Sequence, residues 1–312
     1  MMSFSDIQSQ VDVARWGWDI AIFLWLVGIS GMSTFAYYWV RRAPLAYAAL
    51  ITVLLGLAVV FSHLSRWWNL PRAVFYATLD FSFNWGSWMM LGILLLSIQA
   101  VICLVLAADH LRLGERFPAL LKWPLVPTLL AWVPRLARSS ALLVVFAGFG
   151  LLVTAYSGFL ITQAVGVPLW NTALIPILWV VSAGTAVLAL LEIFHLKGWI
   201  DERASHIVTR LAVASDGIKL AMLFTFLYVG LSASSAGARA GAATLVYGSL
   251  APLLWIGVVL LGALVPVAVS LYSLKFGERR GLVFFAALLA LGGGLLLRAS
   301  VLLAGKFDPL LL

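Results

Sequence analysis

Four side chains in this sequence are chemically active types standing within or beside long apolar runs: Asp19, His63, Tyr156 and Arg298. The carboxyl and the imidazole can exchange protons, the phenol can donate and accept a hydrogen bond, and the guanidinium carries a fixed charge. Trp16 and Trp170 stand near two of them in sequence, and Asn171 adds an amide. This inventory suits hydrogen bonding and proton exchange with a flat, oxygen-bearing ring held between aromatic walls. A second set lies further along the chain. Glu192 and His195 are spaced i, i+3, as are Asp216 and Lys219, so each pair shares a helix face. With Ser182 and Thr185, the residues Glu192, Asp216 and Lys219 form a series of groups able to pass a proton.

The elements that must carry these residues are membrane helices. The 312-residue chain is 63% hydrophobic and only 10% charged, whereas a soluble domain carries about 25% charged residues. Its apolar runs are about 20 residues long, enough to cross a hydrocarbon core as helix. Strand-like alternation is missing, which argues against a β-barrel. The expected fold is therefore an all-α bundle of eight transmembrane helices in one domain, 1–312. The spans fall at roughly 18–40, 44–65, 86–108, 139–164, 172–196, 210–232, 243–272 and 282–304. The connection 109–138 contains too many prolines for a straight span and reads as an interfacial segment.

Charge sets the orientation. The loops on the side of the termini hold Arg15, Arg66, Arg72, Arg239 and Lys306, five in all. The opposite loops hold Arg41, Arg42, Arg112, Arg116, Lys122, Arg135, Arg138, Lys197, Arg203, Arg210, Lys275, Arg279 and Arg280, thirteen in all. The positive-inside rule then places both termini outside the cytoplasm. The net charge of +8 is thus a topology signal and requires no nucleic acid. The N-terminus lacks the basic region and cleavage site of a signal peptide. Cys103, the single cysteine, allows no internal disulfide or cysteine-ligated metal and reads as an apolar filler.

In this frame Asp19, His63, Tyr156 and Arg298 come from four spans but share the outer leaflet. Intramembrane polar groups are costly and therefore functional candidates. A quinone head matches them, because its reduction takes up two protons and its carbonyls need hydrogen-bond partners. Each residue also has a plainer reading: Asp19 as a helix cap, His63 as an interfacial histidine, Arg298 snorkelling to headgroups, Tyr156 as a packed ring. Glu192, Asp216, Lys219, Ser182 and Thr185 would form a proton route from the cytoplasmic side, with a structural Asp216–Lys219 ion pair as the alternative. The aromatic, charge-poor connection from Arg66 to Trp85, with Trp68 and Arg72, and the tip at Trp170 and Asn171 could dock another subunit. A di-haem cytochrome b would need histidine pairs at matching depth, which four scattered histidines do not supply. A secondary transporter would need inverted repeats and broken helices, and no internal repeat is evident.

Three stretches carry a resemblance. "AYSGFLITQAVGVPLWNT" running into "IPILWVVSAGTA", the closing "LLLRASVLLAG" and the opening "WGWDIAIFLWLVGISGMS" resemble the NrfD/PsrC-like polysulfide reductase membrane subunits. The resemblance implies a membrane anchor that exchanges electrons with menaquinone or ubiquinone and holds no haem or metal of its own. It implies a four-cluster iron–sulfur partner, a molybdopterin catalytic subunit beyond it, and a place in the inner (cytoplasmic) membrane. It also implies a quinone site using a first-span polar residue and a fourth-span tyrosine, which correspond to Asp19 and Tyr156. Some members carry a first-span histidine where this chain has Ile22 and Phe23, so Asp19 or His63 would have to take its place.

Overall fold

The computed structural model describes residues 14, 16–63, 72, 86–116, 122 and 124–308, without the side chains at 63, 113–114 and 202–205. Eight helices are long and apolar enough to cross a membrane, and no strand pairs into a sheet among the described residues. They are α1 (Trp18–Val40), α2 (Ala43–His63), α3 (Trp88–Leu111), α6 (Ser140–Thr162), α7 (Leu174–Leu196), α8 (Glu202–Leu231), α10 (Leu253–Phe276) and α11 (Arg280–Leu303). Shorter helices α4 (Leu113–Arg116), α5 (Val126–Arg138) and α9 (Ala236–Val246) lie between them. The chain is a multi-pass integral membrane protein.

The spans form two four-helix groups. In the first, α1 packs on α2, α2 on α3, α3 on α6 and α6 back on α1; in the second, α7, α8, α10 and α11 close a similar ring. The seam between them is made by α7 and α11 lying against α1, and by α7 against α6. Helix α1 is buried along most of its length, and its middle turn is a run of small residues, Gly28, Ser30, Gly31, Ser33 and Thr34. Small residues let membrane helices approach closely enough for dispersion contacts to hold them. At Gly31 a methyl group would strike the Gly150 carbonyl and the Thr154 side chain of α6, and at Gly150 it would strike the Gly31 carbonyl. Backbone thus meets backbone across α1 and α6.

The connection after α3, read from its prolines as an interfacial segment, contains a helix of its own. Helix α5 has Pro127 in its first turn and Pro134 inside, with Leu129 and Trp132 exposed and Ala137 buried. Arg138 at its end grips Asp109 of α3 through Nε and Nη2, the latter at 2.9 Å. The seventh span differs from its sequence reading. It starts at Leu253, not near 243, because the small residues of 236–246 form α9 as a separate helix. The first half of α10 is wound as a π-helix, in which the Val265 N–H reaches back five residues to the Leu260 carbonyl.

The face where α1 starts and α11 ends, here the terminal face, is tied across several elements. Ala14 N–H donates to the Gly305 carbonyl at 3.0 Å. Asp308 Oδ1 accepts from the Ser235 hydroxyl at 2.6 Å and from the Gly237 N–H at 2.7 Å, at the start of α9. Those two bonds hold the Asp308 carboxyl below the usual carboxylate range. The other face carries the Arg41–Arg42 turn, the α5 region and the turns after α7 and α10, and is called the basic face.

The α1–α6 contact gives a first prediction. Gly150→Leu should destabilise the protein by about 3 kcal/mol or more, since the overpacked atoms meet backbone. Gly148→Leu, where nothing lies within 4 Å, should be tolerated. Thermal unfolding of the purified proteins in detergent checks both; equal midpoints would remove the contact from the account.

Candidate functional site

Tyr156 lies in α6, and its ring is 5% exposed. Its hydroxyl donates to the Trp88 carbonyl at 2.5 Å, and its ring stacks on the Trp88 indole with centroids 6.2 Å apart and planes 16° from parallel. Trp88 is the first residue of α3, and the next turn carries Gly92, where a side chain would occupy the place of the tyrosine hydroxyl. The Trp88–Tyr156 stack therefore stands at the terminal end of the first group. Trp170 belongs to the same apolar cluster but is turned inward: it is 1% exposed, and its Nε1–H donates to the Val301 carbonyl of α11 at 2.9 Å. Trp16 packs on it with ring centroids 5.5 Å apart. Asn171, next in sequence, is exposed. The hairpin tip is thus split, with the indole anchoring it and the amide left on the surface.

Asp19 is half-buried in the first turn of α1. The residue at the N-cap position is Gly17, so Asp19 sits inside the first turn, where its charge complements the helix dipole. His63 ends α2, and its side chain and Trp68 lie outside the described residues; Arg72 is exposed.

Arg298 reaches deeper than its place in the sequence suggests. It is fully buried, with Nη1 donating to Ser182 Oγ at 3.1 Å and to the Gly294 carbonyl at 3.0 Å, and Nη2 to the Trp179 carbonyl at 3.3 Å. The Trp179 ring lies 5.4 Å from the guanidinium carbon. A side chain at Gly28 of α1 would come within 2.9 Å of Nη2. The guanidinium thus occupies the seam between the two groups. Asp19 is nine residues before Gly28, about 13 Å along the helix. The structure therefore brings Arg298 together with Ser182, while Asp19 and Tyr156 stand nearer the terminal face.

Below Arg298, on α7, a polar line continues toward the basic face. Thr185 Oγ1 donates to the Ser182 carbonyl at 2.9 Å. Glu192 is 8% exposed, with Asp216 and Glu278 as its acidic neighbours. Asp216 and Lys219, both buried, form an ion pair at 2.5 Å. Lys219 Nζ also donates to the Gly262 carbonyl at 3.0 Å. Gly262 lies in the π-wound half of α10, and Pro266, four residues on, has no N–H to offer its carbonyl.

One polar cluster had escaped the sequence reading. Gln99 of α3 donates through Nε2 to Thr34 Oγ1 at 2.8 Å and to Ser30 Oγ at 3.3 Å. Cys103 lies 3.3 Å from the same nitrogen. The cluster sits inside the first group and joins α1 to α3. The signal was a lone amide at mid-span with two hydroxyls at i, i+4 on α1. On the basic side, Tyr37 and His110 Nε2 are hydrogen-bonded at 2.7 Å. Among the described residues no group of three or more His, Cys, Asp or Glu is placed to hold a metal ion.

Family comparison agrees with this architecture. Residues 7–308 match the model of the family described as polysulphide reductase, NrfD. The chain belongs to the NrfD family. It is 29% identical to protein NrfD of Escherichia coli over 93% of this chain and 95% of that protein. It is 27% identical to the C subunit of polysulfide reductase from Wolinella succinogenes, over 95% of this chain and 96% of the relative. A NrfD homolog of Haemophilus influenzae is 24% identical over 93% and 94%. NrfD-type proteins are quinone-interacting membrane anchor subunits of respiratory oxidoreductase complexes and are not catalytic alone. This chain shares that role.

The buried ion pair gives the second prediction. Asp216→Ala or Lys219→Met alone leaves an uncompensated buried charge and should cost about 3–5 kcal/mol, whereas the double variant should recover most of the loss. A double-mutant cycle on unfolding midpoints tests this; strictly additive losses would show that the two residues do not act as a pair.

Proposed function

We propose that this chain binds a quinone head at the terminal face, between the Trp88–Tyr156 stack and Asp19, and that this face docks an iron–sulfur subunit. The observation that carries the reading is the Tyr156 hydroxyl, held by the Trp88 carbonyl at the end of an aromatic stack. A quinone supplies the two-electron, two-proton chemistry when bound. The protein supplies flat walls, a fixed oxygen and a titratable carboxyl, and these fit such a ring. Because Tyr156 already donates to Trp88, its oxygen is free to accept. It is therefore suited to receive the O–H of the reduced form, while Asp19 and His63 are the candidates for exchanging protons. Trp16 and Trp170 back the site, with Trp170 positioning the hairpin tip.

Arg298, Ser182, Thr185, Glu192, Asp216 and Lys219 are read as a proton route through the second group, ending beneath the quinone site at the seam. The relatives named as NrfD and as a polysulfide reductase subunit support partners of the same kind here: a four-cluster iron–sulfur subunit and a molybdopterin subunit beyond it. Arg72, Trp68 and the exposed Asn171 would be on the docking side. The thirteen-to-five split of basic residues supports placing the terminal face outside the cytoplasm, in an inner (cytoplasmic) membrane. Reporter fusions ahead of Ser3 and after Leu312 should both report an external position; a cytoplasmic signal from either would reverse the orientation.

The site itself is tested by Tyr156→Phe and Asp19→Asn. Losing one buried hydrogen-bond partner costs about 1–3 kcal/mol, roughly tenfold to a hundredfold in affinity or rate. Each variant should slow quinol-coupled turnover of the assembled complex by that factor. Electron transfer from a dye that bypasses the membrane subunit should be unchanged. Full quinol activity in both variants would move the site elsewhere.

A further inference from the structure

At the basic-face end of the second group lies a cavity of about 10 Å³, whose polar lining is Glu192, His195, Thr209, Ser270, Ser273 and Glu278. That is close to the room one water needs. The buried Ser273 Oγ has no partner among the described residues, and the buried Glu192 carboxyl borders the same space. Buried polar groups are nearly always hydrogen-bonded, to protein or to water. A hydroxyl from α10 and a carboxyl from α7 thus converge on one water-sized space.

Exposure is graded along the same line. The Glu278 side chain is 30% exposed, the His195 side chain 16%, and Glu192 only 8%. His195 Nε2 lies 3.3 Å from Glu278 Oε2, and its Nδ1 faces the Ile200 carbonyl at 3.2 Å. A pair that joins the aqueous face to a water-sized cavity, with a carboxyl on the inner side, has the arrangement of a proton port.

We propose that this cavity holds one water, bound by Glu192 and Ser273, and that His195 and Glu278 form the port through which protons pass between the basic face and Glu192. The proposal rests on the proton-route reading above and gives that route its mouth. One proton passes from the His195–Glu278 pair through the water to the Glu192 carboxylate, and the pair takes one proton from the aqueous phase in its place. The other charged groups near Glu192 are Asp216 and Lys219 on α8. Helix α11 lines the cavity with the apolar Val283 and Ala286.

The test uses the full chain in liposomes, with dicyclohexylcarbodiimide as probe and peptide mass spectrometry as readout, since the reagent reacts with protonated carboxyls in apolar surroundings. Glu192 should be labelled at acid pH and should lose reactivity after an alkaline jump. His195→Ala/Glu278→Gln should slow that loss by at least about tenfold, somewhat below what a positioned proton relay typically contributes. Ser273→Ala, which removes one hydroxyl and little volume, should slow it in the same direction. An unlabelled Glu192, or a rate unchanged in both variants, overturns the port. In that event quinol turnover that still depends on Tyr156 would leave the quinone reading in place.

Discussion

A guanidinium in hydrocarbon must find oxygen atoms, and the position of Arg298 shows how the molecule meets that demand. Its bonds go to the Gly294 carbonyl of its own helix and to Ser182 and the Trp179 carbonyl of α7. Those acceptors exist at the right level only if α11 lies against α7, and the head fits only because α1 offers Gly28. Three spans are thereby fixed relative to one another at the seam. Among the described residues no carboxylate pairs with Arg298, so its charge faces dipoles rather than a counter-charge. A charge buried at membrane depth in this way is a functional candidate by default.

The two four-helix groups divide the candidate residues between them. The first carries the aromatic stack and Asp19 at the terminal face, braced below by the Gln99 cluster. The second carries the carboxyls, the ammonium and the water-sized cavity. Under the proposals above, redox chemistry at one end and proton entry at the other would fall to different helices, with Arg298 and Ser182 at the boundary. The Asp216–Lys219 pair contributes less to stability than its geometry suggests, because desolvation offsets most of its attraction. Its anchoring of α8 to the Gly262 carbonyl fixes how the second ring closes.

Much of this was legible in the residues. The spans were, because hydrocarbon admits only long apolar helices whose backbone groups are paired internally. The Asp216–Lys219 pairing was, because i, i+3 spacing sets the two groups on one helix face. The start of the seventh span was not: residues 243–246 were read as its first turn, and only tertiary packing shows them as the end of a separate helix, Ala236–Val246. Arg298 was assigned to the outer leaflet from its place in the sequence, but an arginine side chain is long enough to carry its head toward the seam. Trp170 looked like a surface residue because tryptophan favours interfaces; its inward turn depends on a carbonyl 131 residues away in sequence. His63 and Trp68 carry expectations that the described residues do not reach.

The ties across the terminal face bear on how the protein is made. Trp170 needs the Val301 carbonyl, Ala14 needs Gly305, and the start of α9 needs Asp308. Each of these partners belongs to the last span or to the residues after it. During synthesis the first seven spans can enter the bilayer and pack, but their terminal face stays open until α11 arrives. A docking partner that recognises this face would therefore engage only molecules in which α11 is in place. The same residues that close the fold would then act as a checkpoint on assembly, screening out molecules whose last span is not seated.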